Sequence, residues 1–314
     1  MTTIHDVARK SGYSVSTVSR VLNKKNYVSE QAQQRIERVI QELDYVPNEM
    51  ARDLSKGNNY NIGVVLPHTK HPYFRDILNG IMDRAFSTMY RIVILPSEYD
   101  KEIEIEYLEQ LRRKSFDALI FTSRGITLDT LAEYYKYGPI VCCEDPKRLD
   151  LLAVYSNRRP AYYAAFQWLK SKGYNDIVIM LSREYHVSVT SQITLDTYQE
   201  VFGVYPAVDY VMTGITTYED GLNRSQELLE KKLPIDCVFV NVDDVAAGVR
   251  QGFINANQKV PLLVGQENQL SGKLLNISTI DHHLREIGHR AFEIATKEVT
   301  SKQVQLDSQF IIRE

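Results

Sequence analysis

The sequence predicts an all-α head of helix-turn-helix type on an α/β body built on parallel sheets. Its first 47 residues carry helical periodicities interrupted by a tight turn at Gly12. From Asn61 onward short apolar runs alternate with amphipathic stretches, the βαβα order of sheets covered by helices on both faces. Length agrees: 314 residues at roughly 150 per domain make about two domains. Each is large enough to bury a core without disulfides.

In the head, Thr3 is placed to cap a helix running to Lys10, with Asp6 three residues on as in a capping box and Ile4, Val7 and Ala8 on one face. Gly12 ends it. Ser14 then caps Val15–Asn23, which turns Val18, Val21 and Leu22 to one side. Ser29 caps a longer helix with Ala32, Ile36, Val39, Ile40 and Leu43 at the 3.6 period, and Pro47 is expected to stop it. Two short helices about a tight turn form the helix-turn-helix pattern. The outer face of the second offers Val15, Ser16, Thr17, Ser19, Arg20 and Asn23, short or hydrogen-bonding groups that can enter a major groove. A three-helix bundle docked on the body, with a merely soluble outer face, satisfies the same spacing. Asn48 to Lys56 is apolar at Met50, Ala51 and Leu54 and closes at Gly57. So short a stretch is unstable as an isolated helix, and is expected to be coil until something packs on it. A plain linker is the simpler alternative.

The body's apolar runs are 61–67, 91–96, 117–123, 139–144, 176–182, 237–242 and 261–266. Helical patterns lie near 73–89, 101–114, 161–172, 219–232, 244–257 and 283–299. These units exceed one small sheet and are compatible with two similar lobes. In open α/β sheets ligands sit beyond the carboxyl ends of strands. Those ends carry His68, His71, Tyr73 and Phe74, then Ser123 and Arg124, Glu144 and Asp145, Ser182 and Arg183, and finally Asp243 and Glu267. Aromatic faces with carboxylates suit a sugar, a nucleoside or another polar ring. Carboxylates at strand ends also cap helices, so only part of this set is expected to touch a ligand.

Composition narrows the class. With 44% hydrophobic and 25% charged residues the chain is neither collagen-like, coiled-coil nor disordered. No apolar run is long enough to span a membrane and the amino terminus lacks a signal peptide's apolar stretch, so a cytoplasmic protein is expected. Cys142, Cys143 and Cys237 form no CxxC and read as reduced core residues. The net charge of −3 hides an asymmetry. Residues 1–38 hold seven Lys/Arg against three acids, a balance of +4, which leaves −7 on the rest. A basic head on an acidic body is what phosphate binding by one segment calls for, although sampling noise on a solvated surface gives the same sums.

Enzyme chemistry finds little support. No GxGxxG follows the first strand, and neither a P-loop nor an HExxH is present. Asp281-His282-His283 has metal-binding residue types but no second acidic cluster, and Cys142 and Cys143 lie in a buried strand unsuited to a thiolate. No enzyme activity, metal or cofactor is expected.

TIHDVARKSGYSVSTVSRVLN, then YVPNEMARDLSKG, then NIGVVLP followed by HPYF, resemble the LacI/GalR family of bacterial regulators, and the likeness runs the full length. The resemblance implies a head at 1–47, a hinge at 48–58 and an effector-binding and dimerisation body at 59–314. That body would be periplasmic-binding-protein-like, with two doubly wound parallel-sheet lobes (about 59–155 with 281–305, and about 157–279 with 307–314). Three crossovers are expected, near Tyr155–Asn157, Thr279–Asp281 and Leu306–Asp307. It implies base reading by Val15, Ser16 and Arg20, and register-holding backbone contacts from Thr3, Ser14, Thr17, Ser19, Asn23, Tyr27, Asn48 and Ala51. Leu54 resembles the hinge leucine that wedges into the minor groove at the centre of a palindrome. Asp53 departs from the pattern, since a carboxylate beside phosphates weakens binding unless Arg52 or Lys56 compensates.

In the cleft, Tyr73 and Phe74 match the effector-contacting aromatic pair, while Glu144 and Glu267 replace shorter acids. Ser123, Arg183 and Asp243 complete the implied lining. Thr194 stands where most sugar-responsive members carry an arginine, and Val242 where many carry Asn or Ser, so strong polar handles are missing. The implied function is a repressor that binds double-stranded palindromic operator DNA as a homodimer, under allosteric control by an effector such as a sugar or sugar derivative. A degenerate cleft, governed by a protein co-effector or by none, is the alternative. The chain ends soon after its last strand without a heptad tail, so a coiled-coil tetramer is not expected, and neither is a membrane partner.

Overall fold

The computed structural model describes residues 2–23, 27–46, 59–69 and 71–313. It comprises two compact units, one ending at Tyr60 and one beginning at Asn61. The hinge residues Asn48, Ala51, Asp53 and Leu54 lie outside the described residues.

The first unit contains α1 (Ile4–Ser11), α2 (Val15–Leu22) and α3 (Glu30–Glu42). Each begins on the hydroxyl residue the sequence predicts. The Thr3 hydroxyl accepts from the Asp6 amide and the Asp6 carboxylate accepts from the Thr3 amide, a reciprocal box. Ser14 caps α2 through the Thr17 amide, and Ser29 caps α3 through the Ala32 amide. Gly12 closes α1 in the left-handed region at φ 80°, where a side chain would be strained, and so allows the tight turn. Val7, Ala8, Val18, Ile36 and Val39 meet in a small core. Pro47 does not stop α3, which ends at Glu42 with Leu43 as its C-cap. Asp44 takes a left-handed φ of 46°, and the amides of Asp44 and Tyr45 bond back to Gln41 and Ile40. This Schellman-type closure satisfies the last carbonyls before the proline is reached.

The second unit holds two six-stranded sheets. The first comprises β1 (Asn61–Leu66), β2 (Arg91–Pro96), β3 (Ala118–Phe121), β4 (Ile140–Cys142), β5 (Leu152–Asn157) and β11 (Gln303–Asp307), in the order β11-β5-β4-β3-β1-β2. All its pairings are parallel. The second comprises β6 (Ile177–Met180), β7 (Val211–Met212), β8 (Cys237–Val240), β9 (Leu262–Gln266), β10 (Ser278–Asp281) and β12 (Gln309–Ile311), in the order β12-β10-β9-β8-β6-β7. Only β12 runs antiparallel there. In each sheet the order reverses beside the first strand, between β1 and β3 and between β6 and β8, the switch points at which ligands sit in doubly wound folds.

Helices cover both faces. In the first lobe α4 (Pro72–Ala85) and α12 (Leu284–Ala295) pack on one face through Ile77, Ile81, Ile287 and Phe292, and α5 (Lys101–Arg112) and α6 (Leu128–Tyr134) on the other through Leu108, Leu111 and Leu131. α4 and α12 approach so closely at Gly80 and Gly288 that a Cβ on either would lie 2.0 or 2.1 Å from a backbone carbonyl of the other helix. The second lobe is sandwiched between α7 (Arg159–Ser171) with α8 (Val189–Phe202) and α9 (Tyr218–Lys231) with α10 (Asp243–Asn255). The short α11 (Leu270–Leu274) follows β9. No helix among the described residues is long and apolar enough to cross a membrane.

The apolar-run reading missed several elements for physical reasons. β11 is an edge strand that alternates exposed with half-buried residues, so it shows no apolar run. β5 turns polar at Tyr155-Ser156-Asn157, and β10 begins on Ser278-Thr279. α8 is rich in Thr, Val and Ile, poor helix formers by propensity. Its Thr194 and Thr197 hydroxyls bond the carbonyls four residues back, which lets both be buried. The chain passes between the lobes at Arg158, at His282–His283 and at Ser308, each just beyond the stretch expected for it.

Candidate functional site

On α2 the wheel divides cleanly. Val18 is fully buried, while Ser16, Arg20 and Asn23 are exposed on the opposite side with Ser19 beside them. Arg20 has no ion pair among the described residues, whereas Arg9 and Lys10 on α1 are tied to Asp6 and Glu42. At the amino end of α2, Ser14 Oγ lies 2.7 Å from Ser16 Oγ and 2.9 Å from Thr17 Oγ1, a cluster of hydroxyls beside the helix's free amides. Such an end attracts phosphate and other acceptors. Asn23 donates to the Ser19 carbonyl, and Tyr27 is 95% exposed. Val15 packs half-buried against the head core, and the Thr3 hydroxyl is engaged with Asp6.

In the body, the strand-end aromatics gather at the mouth between the lobes. His71 caps α4, its Nδ1 accepting from the Tyr73 amide at 3.1 Å. Tyr73 and Phe74 meet edge to face with centroids 5.1 Å apart, and the Tyr73 hydroxyl donates to the Cys143 carbonyl at 3.4 Å. From the other lobe comes Glu267, at a left-handed φ of 80° and buried, with Oε2 lacking a hydrogen-bond partner among the described residues. Burial pushes its carboxyl well above the usual range, against the pull of the Arg158 charge. His71 Nδ1 stands 3.8 Å from Glu267 Oε1, but burial lowers His71 to about 4 and its Nδ1 already accepts a bond. The two groups are close neighbours, not an ion pair.

Other expected residues divide. Ser123 Oγ donates to the Tyr99 hydroxyl at 3.5 Å, and the Arg183 guanidinium lies over the Tyr99 ring, 4.3 Å from its centroid. Glu144 is held by Arg124 through contacts of 2.7 and 3.0 Å. Two residues turn away from the mouth. Asp243 accepts from the Gln269 amide and the Thr279 hydroxyl, both at 2.7 Å, and burial raises it to about 7. Its carboxylate stitches α10 to α11 and β10. Thr194 is fully buried on α8 and its hydroxyl is engaged with the Thr190 carbonyl.

Sequence reading overlooked Tyr99, Arg158, Tyr162 and Gln266, and weighed His282 only as a metal ligand. Arg158 follows β5 and sits over the Tyr73 ring at 5.5 Å; recognising β5 would have put it among the strand-end residues. His282 knots the three crossovers. Its carbonyl accepts from Ser156, its Nδ1 pairs with Ser308 Oγ at 2.8 Å, and its Nε2 with Gln266 Oε1 at 2.9 Å. Gln266 Nε2 donates to the Val240 carbonyl, so Oε1 faces the ring and Nε2–H of His282 is the donor. Tyr162 donates to the same oxygen. Both ring nitrogens of His282 are thus engaged within the protein, which accounts for the Asp-His-His run without a metal.

The model of periplasmic binding proteins and sugar binding domain of LacI family matches residues 59–313, and that of bacterial regulatory proteins, lacI family, matches residues 3–48. The chain belongs to the LacI family. Among LacI-family relatives it is 35% identical over 294 residues to catabolite control protein B of Bacillus subtilis, covering 94% of both chains. The Lac repressor dimer bound to operator and the anti-inducer ONPF shares its fold at TM-score 0.79 and 18% identity, with 99% of this chain and 98% of that one covered. A LacI-family regulator of Lactobacillus casei with bound glucose superposes at TM-score 0.71 and 21% identity, covering 81% and 98%. The expectation of a regulator and not an enzyme agrees with this membership: the chain is a DNA-binding regulator of LacI type.

Proposed function

We propose that the protein is a repressor that binds a palindromic operator as a homodimer and is controlled by a sugar or sugar derivative in the mouth between its lobes. The observation that carries the DNA half is the outward face of α2, where Ser16, Arg20 and Asn23 are exposed and Arg20 has no ion pair among the described residues. Arg can bond both major-groove acceptors of a guanine, and two-fold proteins call for two-fold sites. Val15, Ser16 and Arg20 read bases in this proposal; Ser14, Thr17, Ser19, Asn23 and Tyr27 hold the backbone; Leu54 wedges the centre. Thr3, Asn48 and Ala51 keep the backbone role implied by the resemblance.

The effector half is supported by Tyr73, Phe74 and Glu267 at one mouth. A buried carboxyl oxygen without a partner favours a ligand hydroxyl there over a cleft that has lost its ligand. The match to the sugar binding domain of the LacI family and the glucose-bound regulator of the same fold support this reading. Sequencing DNA selected by the purified chain tests the whole reading. A two-fold site is expected, with affinity changed by an added sugar, and Leu54→Ala should leave only weak, salt-sensitive binding. Selection of asymmetric or random DNA, or unchanged affinity in Leu54→Ala, would refute it.

A further inference from the structure

The mouth between the lobes carries more unpaired positive charge than a neutral sugar needs. Arg158, at the first crossover, and Arg183, at the end of β6, each lie over an aromatic ring of the opposite lobe, Tyr73 at 5.5 Å and Tyr99 at 4.3 Å. Among the described residues neither forms a salt bridge with a carboxylate. Among the described residues the side chain of Arg158 makes one hydrogen bond, a long one to the Tyr162 hydroxyl at 3.5 Å. Their neighbours behave differently: Arg124 is taken up by Glu144, and Arg159 by Glu200. A ring face attracts a guanidinium but leaves the N–H groups in its plane without acceptors. Those in-plane donors match the paired oxygens of a carboxylate or phosphate.

The nearby acids answer these two charges only in part. Glu144 is spent on Arg124, and Asp243 points inward onto Gln269 and Thr279. Glu267 is the acid whose charge Arg158 feels, but burial favours its neutral form, and among the described residues its Oε2 has no hydrogen-bond partner. The chain lacks the arginine that its family resemblance leads one to expect at 194, and brings two others to the mouth from elsewhere.

Resting on the effector reading above, we infer that the ligand is an anionic polyol, a sugar phosphate or sugar acid, whose charged group is held by Arg158 and Arg183 while its hydroxyls face Tyr73, Phe74 and Glu267. Calorimetric titration of the full chain tests this, comparing glucose, ribose and fructose with glucose 6-phosphate, ribose 5-phosphate, fructose 1,6-bisphosphate and glucuronate. At least one charged compound should bind ten times more tightly than its neutral parent. Arg158→Gln and Arg183→Gln should each erase most of that preference, weakening the charged compound more than its neutral parent. Arg183→Lys, which keeps the charge but not the fork, should retain part of it. Preference for phosphates without glucuronate assigns a phosphate, and the converse a carboxylate. Binding of neutral sugars as tight as of charged ones, or a preference that survives both glutamine variants, overturns the anion inference and leaves the effector reading standing. Silence from every compound, charged and neutral, overturns both.

Discussion

On α2, Ser16, Arg20 and Asn23 stand in solvent, and their internal bonds reach only two to four residues along the chain, from Ser14 to Ser16 and from Asn23 to Ser19. Around the cleft the bonds span 70 residues from Tyr73 to Cys143, 104 from Tyr162 to Gln266 and 126 from Ser156 to His282. The head therefore offers a surface whose side chains can be exchanged one at a time. The cleft is a network in which each substitution is felt by both lobes and by the crossovers between them. In the proposed function, DNA specificity and effector response thus rest on different kinds of structure, one local and one cooperative.

The sharpest test of this contrast is Arg20→Ala. Losing a bidentate base contact costs roughly 1–3 kcal/mol per half-site, so a dimer should lose about thirtyfold or more in affinity for its selected site. Binding to scrambled DNA and the unfolding of the head should hardly change, because Val18 and the head core are untouched. Fluorescence anisotropy with both DNAs reads this; equal losses on the two would break the idea of an independent reading surface.

In the cleft, His71→Asn should act through pH. The folded protein holds His71 near 4, below the ordinary value of 6.5, so its contribution to stability is present above about 6.5 and lost as pH falls through 4. Asparagine keeps the cap on Tyr73 without titrating. Between pH 7 and 4 the wild-type body should lose up to roughly 3 kcal/mol more stability than the variant, measured by urea unfolding. Parallel pH profiles would show that His71 is solvated and not part of the buried network. The smallest effect is expected from Ser14→Ala, which removes the α2 cap at about 1 kcal/mol. Hydrogen exchange should quicken at the α2 amides and stay unchanged in the body. Faster exchange throughout would contradict two separately cooperative units.

The sequence by itself determined what depends on near neighbours. Thr3, Ser14 and Ser29 each start the helix they were expected to start, because a cap needs only a hydroxyl and an amide two or three residues away. The runs at 61, 118, 177 and 237 became central strands because burial on both faces demands unbroken apolar residues. Tyr73, Phe74 and Glu267 could be read as cleft residues from their place at strand ends. Only the tertiary structure decided which strand-end groups face the mouth. Asp243 and Glu267 both follow sheet strands, yet one bonds inward to Gln269 and Thr279 while the other keeps an oxygen free. Thr194 is buried on a helix of low helical propensity that packing alone stabilises, and Arg158 reaches Tyr73 only because β5 delivers the crossover there. A cap is settled within one turn of helix. The direction of a cleft side chain is settled by sheets, crossovers and helices more than a hundred residues apart, and it exists only once both lobes have folded.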